Sequence, residues 1–356
     1  MASKLTTSNR AGWAFALPGF GLLTLFIVVP FFFAFFLSLT NQRLISPNPT
    51  EFVGLENYRN LLSIGVLTIE PERDAAGALV RDEDGNPEYP RVRTFTRNNP
   101  DFPQYDGMRE WFRWHSGDTA KVVVATDVVF WKSLRNTLMF VLVVAPVQAA
   151  LALCLALLVN QRLRGINVYR AIYFMPVVVS IVVVSLLWRF LYAEQGLLNS
   201  LLGSLSFGAF EGRDWLGDPD TALGAIKVMS IWQAVGFHMV IWLSGLQTIS
   251  PTLYEASAIE GASKWQTFRY VTWPGLRNTA VLILIVITMQ AFALFAQIDV
   301  MTNGGPLDST TTVVFQAVER GYGKQDISGG STISVILFLI VLTISLVQRY
   351  LTRERT

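Results

Sequence analysis

Six apolar segments, each long enough for a helix to cross a lipid bilayer, constrain this chain more than any other feature of its sequence. A spanning helix needs about 20 mainly apolar residues. Charged residues make up only 15% of the chain, against about 25% in soluble domains. The six segments are residues 13–39, 138–159, 171–192, 228–246, 278–298 and 327–348. The sequence therefore predicts an all-α polytopic membrane protein with six transmembrane helices.

The distribution of basic residues predicts which ends of these helices face the cytoplasm. Short loops with an excess of lysine and arginine stay on the cytoplasmic side. The N-terminal segment, residues 160–170, residues 249–277 and the C-terminal tail together carry 11 basic residues. The short loops 193–223 and 300–326 carry three basic residues and eight acidic ones. We therefore expect both termini and the loop 249–277 to lie in the cytoplasm.

One long polar segment, residues 40–130, separates the first two predicted helices and falls on the extracytoplasmic side under this topology. Within it, residues 77–95 (GALVRDEDGNPEYPRVRTF) predict two short strands around an Asp84-Gly85-Asn86 turn. We therefore expect three parts. They are a cytoplasmic N-terminus with the first helix (1–39), a small extracytoplasmic insertion (40–130) and a transmembrane domain with helices two to six (131–356).

Composition argues against several other classes of protein. The net charge is only +2, so there is no basic surface of the kind that binds nucleic acid. Cys154 is the single cysteine, so no disulfide can form within the chain. The two histidines, His115 and His238, lie in different kinds of segment, and we expect no metal site. A membrane enzyme would need a nucleophile–base pair or a metal cluster, for which the predicted helices lack clustered acids.

Residues 254–276 (YEASAIEGASKWQTFRYVTWPGL) form a polar segment with a partly helical pattern, which separates two uncharged runs. Gly261 interrupts the helical pattern, because glycine favours the end of a helix. Ser263 followed three residues later by Gln266 fits a capping box, which starts a new helix. The segment therefore predicts a helix, a glycine corner and a second helix.

Two interpretations of this segment remain open. An amphipathic helix on the inner membrane surface would carry a basic polar face. Here Glu255 and Glu260 lie near the corner, which is a poor match to an anionic leaflet. A small exposed corner with flanking acids suits docking into a cleft of another protein, and this is the interpretation that we favour.

The same residues resemble the EAA loop of the permeases of binding-protein-dependent ABC importers. The family pattern is Glu-Ala-Ala, two further residues, Asp-Gly-Ala, then an aromatic residue and Leu-Pro. This chain has Glu255-Ala256-Ser257, then Glu260-Gly261-Ala262, then Phe268 and Trp273-Pro274. It departs from the pattern at Ser257, Glu260 and Trp273 and keeps the glycine and both spacings. The resemblance extends from about residue 130 to the C-terminus, where the chain is similar to sugar permeases of the maltose-transporter type, and it does not cover the insertion.

This resemblance implies a division of labour among several proteins. A separate cytoplasmic ABC ATPase would bind ATP and Mg²⁺, an external binding protein would deliver the solute, and a second permease would pair with this one, usually as a heterodimer. The helix that couples to the ATPase would contain Glu255, Ala256, Ser257, Glu260, Gly261 and Ala262. The sequence itself has no G-x-x-x-x-G-K-[ST] phosphate-binding loop. We therefore expect neither ATP hydrolysis nor a cofactor in this chain.

A polar solute that crosses the bilayer needs polar groups and aromatic faces near the middle of the helices. Five residues meet this description: Ser180, Ser230, Gln233, Phe237 and Gln290. Three of them, Ser230, Gln233 and Phe237, share one helical face. Neutral side chains suit a neutral solute, so we expect a sugar, either an oligosaccharide or a glycoside. The alternative for each polar residue is a hydrogen bond between two helices.

A stand-alone secondary transporter or channel is the alternative function. Ion-coupled carriers usually hold acidic residues within the membrane, whereas no predicted helix has a central acid or base. A docking segment for a motor protein would also have no use in such a carrier. The sequence therefore predicts an importer permease in the cytoplasmic membrane.

Overall fold

The computed structural model describes residues 2–83, 85–116, 119–161 and 164–352, with only the backbone described for residues 2–11, 116, 351 and 352. Asp84 and the basic residues Arg162, Arg353 and Arg355 therefore lie outside the described residues. Most of the described chain is helical. The helices are α1 (Ala2–Leu23), α2 (Val29–Ser38), α3 (Glu56–Leu62), α4 (Arg93–Thr96), α5 (Val128–Val159), α6 (Ile166–Val178), α7 (Ile181–Leu191), α8 (Leu197–Leu205), α9 (Ala222–Gln247), α10 (Pro251–Ile259), α11 (Lys264–Thr267), α12 (Trp273–Gly275), α13 (Arg277–Phe292), α14 (Ala296–Met301), α15 (Val313–Val318) and α16 (Ile327–Thr352).

Among the described residues, four helices are long and apolar enough to cross a membrane. They cover Gly12–Ser38, Val128–Val159, Ala222–Gln247 and Ile327–Tyr350. These helices match the first, second, fourth and sixth predicted segments, although the second begins well before residue 138. The first runs through a π-helical turn at Thr24–Val28 that joins α1 to α2. The structure thus confirms a mostly helical membrane protein with four to six candidate spans.

The third and fifth predicted segments are not single straight helices. In the third, α6 and α7 meet at an angle of 95°, with Val179 and Ser180 in extended conformations between them. Pro176 lies three residues before the break and removes a hydrogen bond of the helix. In the fifth, α13 ends at Phe292, before the predicted end at residue 298, and α14 starts separately. Hydropathy alone does not register these breaks, because the residues on both sides remain apolar.

The chain divides into two compact units. The first comprises Met1–Val128 and Ala317–Ile336, and the second comprises Val129–Gln316 and Leu337–Thr356. In the first unit, β1 (Ile64–Ile69), β2 (Arg109–Ser116) and β3 (Thr119–Ala125) form an antiparallel sheet in the order β1-β3-β2. One face of this sheet buries a small apolar core: Leu67, Ile69, Val92, Val122 and Val124.

The two strands predicted at residues 77–95 are not confirmed. Among the described residues there, the structure has isolated bridges, Arg73 with Leu79 and Arg81 with Pro87, and the short helix α4. The carboxylates of Asp74 and Asp82 accept backbone N–H bonds from the residues that follow them. These side chains close two tight loops, and the loops leave too few residues between them for a strand.

An arginine in the first unit binds two carboxylates at once. Arg320, in a π-helical turn at Glu319–Gly323, donates from Nε to Asp326 at 2.7 Å and from Nη1 to Asp127 at 2.6 Å. All three side chains are partly buried, so water screens their attraction less than it does at an open surface. The network ties the end of the sheet-bearing segment, at Asp127, to the residues that precede α16.

Replacing Arg320 by methionine is expected to destabilise the protein by about 2 kcal/mol or more, because two partly buried carboxylates lose their shared cation. Thermal unfolding of the purified protein in detergent measures the effect. The matched control is Arg213→Met, which removes a more exposed ion pair, with Asp218, and should change the unfolding temperature much less. Equal shifts in the unfolding temperature for the two variants would contradict a special role for Arg320.

The second unit is a helical core in which two backbones approach closely. Residues from α5, α7, α9, α13 and α14 contribute to one apolar cluster, which includes Phe140, Val184, Met239 and Ile283. On α9, Gly236 packs against the backbone of α6, and a Cβ atom there would lie 2.0 Å from the Tyr173 carbonyl oxygen. Only glycine allows the two helices this separation. Their packing places one face of α9 towards an internal cavity.

Candidate functional site

The glycine corner predicted in the segment between α9 and α13 is present and has two kinds of helix cap in succession. At the end of α10, the N–H of Gly261 donates to Ala258 and the N–H of Ala262 donates to Ser257, which is the Schellman arrangement. Gly261 has a φ of 70°, a left-handed conformation that side chains disfavour. Because both bonds fold the chain back on itself, the corner is tight and its outer surface is backbone.

The next residues start α11 at once. Ser263 accepts a hydrogen bond from the Gln266 N–H, and the Gln266 side chain accepts one from the Ser263 N–H at 2.7 Å. This reciprocal pair is the predicted capping box, and it satisfies two donors that a helix start leaves free. The segment therefore holds its bend through its own hydrogen bonds, before any partner binds.

One side of the segment packs on the second unit and the other side is open. Tyr254, Phe268 and Val271 pack against the apolar cluster of that unit. In contrast, Ile259 is 87% exposed and Trp265 is 66% exposed. The corner is therefore held by packing on one side and exposed on the other.

The six predicted coupling residues lie together at this corner. Glu255, Ala256, Glu260 and Gly261 are exposed, and Ser257 and Ala262 are partly buried. Ser257, one of the departures from the family pattern, donates to the Tyr254 carbonyl at 2.9 Å and lies 3.4 Å from the Thr267 hydroxyl. Its hydroxyl therefore links α10 to α11, which an alanine could not do.

A cavity of about 540 Å³ lies in the second unit, between α5, α6, α7, α9, α13 and α14. It brings together four of the five predicted substrate-path residues, Ser230, Gln233, Phe237 and Gln290. Ser180 is not among the lining residues. It lies in the break between α6 and α7, next to Ile181, which does line the cavity.

Sequence reasoning missed two further glutamines in this cavity. Gln148 comes from α5 and Gln297 from α14, so four helices each contribute one glutamine to the lining. Both lie within predicted apolar segments, and the criterion that selected Gln290 could have found them. Three phenylalanines, Phe140, Phe237 and Phe295, also line the cavity. Among the described residues that line it, none carries a charge.

The hydrogen bonds of two polar side chains in the cavity, Ser230 and Gln148, bear on what the cavity can bind. The hydroxyl of Ser230 is buried and has no hydrogen-bond partner in the described part of the chain. An unsatisfied buried hydroxyl is costly, and a bound ligand or water can satisfy it. The Gln148 amide lies 2.8 Å from Nδ1 of the buried His238 on α9. Hydrogen bonds of this kind fix the orientation of a side chain that lines a cavity.

Comparison with known protein families identifies the chain. A model of the family described as "binding-protein-dependent transport system inner membrane component" matches residues 148–355, which is more than half of the chain. The chain belongs to this family. The matched region includes the corner at Gly261 and residues from each of the four helices that contribute glutamines. The resemblance found in the sequence is therefore confirmed.

Individual relatives agree with this assignment. The permease is 35% identical over 227 residues to the trehalose/maltose transport system permease protein MalF of Thermococcus litoralis, which covers 64% of this chain and 76% of the relative. It is 32% identical over 245 residues to the lactose transport system permease protein LacF of Rhizobium radiobacter, covering 67% and 82%. A chain of a bacterial alginate ABC transporter has the same fold, with a TM-score of 0.58 and 20% sequence identity. The match covers 63% of this chain and 78% of that chain. That transporter was solved in complex with an alginate pentasaccharide-bound periplasmic protein.

Membership of the family decides the general character of the protein. It is a multi-pass, inner-membrane permease subunit of an ABC importer. It is not an enzyme, because ATP hydrolysis in this family belongs to a separate subunit. Within the described residues, no group of three or more His, Cys, Asp and Glu side chains could hold a metal ion.

Proposed function

We propose that the permease passes a neutral sugar, an oligosaccharide or a glycoside, into the cytoplasm by alternating access. The observation that carries this proposal is the convergence of four glutamines and three phenylalanines on one uncharged cavity. Family membership supports a role in import. The names of MalF and LacF associate those two relatives with trehalose, maltose and lactose.

The chemistry of the lining matches that of a sugar. Each glutamine amide offers two donors and an acceptor, and each sugar hydroxyl both donates and accepts. Aromatic rings provide flat apolar faces on which the C–H face of a pyranose can rest. A charged solute would need an opposite charge to offset its desolvation, and the lining provides none. The cavity therefore suits neutral glycans and disfavours acidic ones.

The topology that we propose has six spans: the four continuous helices, the bent pair α6 and α7 as the third span, and α13 as the fifth. Both termini and the corner segment at residues 249–277 then face the cytoplasm, and residues 40–130 lie outside. This orientation rests on the excess of basic residues in the loops assigned to the cytoplasm. It also places the small sheet, β1 to β3, on the extracytoplasmic side. The parts of the chain are then 1–39, 40–130 and the transmembrane domain 131–356.

The corner segment is, in this proposal, the contact with the ATPase. Its self-supporting bend, its acids Glu255 and Glu260, and its exposed Ile259 and Trp265 suit a cleft on a cytoplasmic partner. ATP and Mg²⁺ would bind to that partner. A second, related permease would complete the path as a heterodimer. An external binding protein would deliver the solute, as the family description and the alginate complex indicate.

A glutamine substitution in the cavity tests the proposed substrate. The importer, reconstituted in liposomes with its ATPase, second permease and binding protein, is expected to take up at least one neutral sugar only when ATP is present. Gln233→Leu should reduce that uptake about tenfold, because a hydrogen bond to the solute is lost in a desolvated site. The assay uses a panel of radiolabelled neutral mono-, di- and trisaccharides together with uronic-acid oligosaccharides.

The matched control is Gln247→Leu. Gln247 lies at the end of the same helix, α9, and is exposed away from the cavity, so uptake should stay within a factor of two of the wild type. Transport of the uronic-acid oligosaccharides alone, or uptake driven by an ion gradient without ATP, would contradict the proposed function. Equal losses from the two variants would argue against the cavity as the sugar site.

A further inference from the structure

Gln148 and His238 form a buried hydrogen-bonded pair beside the cavity. Gln148 is 2% exposed, and it lines the cavity from α5. His238 is 0% exposed and does not line the cavity. Its Nδ1 lies 2.8 Å from the Gln148 amide and 2.9 Å from the Ala234 carbonyl oxygen, one helical turn back on α9. The ring therefore stands directly behind the glutamine.

The backbone of α9 limits the freedom of the imidazole. The Ala234 carbonyl oxygen lies beside the Nδ1 edge of the ring, and the adjacent Phe237 ring lies edge-on to it, with the ring centres 5.2 Å apart. When Nδ1 carries the proton, it donates towards the Ala234 and Gln148 oxygens; when it does not, it accepts from the Gln148 N–H and makes no bond to Ala234. In either case one end of the Gln148 amide faces Nδ1. The other end of the amide is then the one available to a ligand. Without the histidine, the amide could rotate and present either end.

We propose that Gln148 binds the transported sugar and that His238 is a positioning residue, which acts by holding the Gln148 amide in one orientation. This inference rests on the proposed function of the cavity. It makes Gln148 on α5 and Gln233 on α9 two contacts of one sugar site. A fixed amide discriminates between hydroxyl arrangements, because a donor placed where the sugar also donates is left unpaired.

The test compares four variants in the fully reconstituted importer: Gln148→Leu, His238→Leu, His238→Asn and the double leucine variant. An asparagine amide can reach the position of Nδ1 and keep the bond to Gln148, which leucine cannot. The measured quantity is the number of sugar molecules transported per ATP hydrolysed when the binding protein is saturating. The sugar is the radiolabelled neutral sugar that the wild type transports fastest.

We expect His238→Leu and Gln148→Leu each to lower this ratio about fivefold, while ATP hydrolysis stimulated by the binding protein stays near the wild-type rate. His238→Asn should recover most of the loss. The double variant should resemble Gln148→Leu alone, because two residues that act through one contact are not additive. A misfolded variant would instead lose ATPase stimulation together with transport.

Several results would overturn the inference. These are an unchanged transport ratio in His238→Leu, an asparagine variant as poor as the leucine one, or a double variant whose loss is the product of the single losses. Failure of the wild type to move any neutral sugar of the panel with ATP would overturn the proposed function itself and this inference with it. The wild-type measurement therefore separates the two.

Discussion

Gly261→Trp is expected to abolish sugar uptake while the permease still inserts and folds. The structure leaves open space around Gly261, with no described atom within 4 Å of the point that a Cβ atom would occupy, so a larger side chain can start there without a clash. The nearby acids Glu255 and Glu260 are also exposed. A protein surface that fits a backbone corner cannot also accept an indole. The ATPase should therefore fail to co-purify with the variant, and uptake in cells should fall to background.

Backbone strain alone must be separated from the loss of docking. Gly261 has a positive φ, and any larger residue there costs about 1 kcal/mol or more. Gly208 is the matched control, because it has a φ of 84° and equally open surroundings but lies in the loop after α8. Gly208→Trp carries the same kind of strain and should preserve uptake. Normal uptake by Gly261→Trp would refute the docking role of the corner.

Gly236→Ala is expected to destabilise the permease strongly. The new Cβ would lie 2.0 Å from the Tyr173 carbonyl oxygen and 3.0 Å from the Phe174 Cα. Both atoms belong to backbone, so no side chain can rotate away, and α6 must separate from α9. Overpacking of this kind costs about 3 kcal/mol. We expect the unfolding temperature in detergent to fall by about 4 °C and the substitutions in the cavity to lower it less.

The same helix offers a control for helix propensity. Gly224, near the start of α9, has no atom within 4 Å of its added Cβ and is exposed. Gly224→Ala should leave stability unchanged or raise it by about 1 kcal/mol, because alanine is the better helix former. A similar loss of stability in both variants would mean that the contact of α6 with α9 is not the reason for glycine at position 236.

The corner illustrates how much local sequence can predict. Gly261, Ser263 and Gln266 are close together in the chain, and the caps they form depend only on neighbouring backbone groups. Their structure therefore follows from their order. Long apolar runs are equally local, since a helix satisfies its own backbone hydrogen bonds wherever the surroundings are lipid. For these reasons four of the predicted spans appear as continuous helices.

The insertion and the broken spans were less predictable. Strand positions in residues 40–130 depend on partners far along the chain, such as Leu67 opposite Val122. The carboxylates of Asp74 and Asp82 close loops in this part of the insertion, in place of the predicted strands. The sharp bend between Val178 and Ile181 lies inside a continuous apolar run, so hydropathy did not predict it.

The sequence by itself determined that this protein spans a membrane, that it carries a capped glycine corner, and that its family is that of importer permeases, because each of these depends on neighbouring residues or on a short motif. Only the tertiary structure decided which polar residues meet. Gln148 and Gln297 lie on helices far apart in the chain, and the close packing at Gly236 helps bring α9 against its neighbours. A cavity is a product of packing between distant segments, and a local pattern contains no information about where those segments come together.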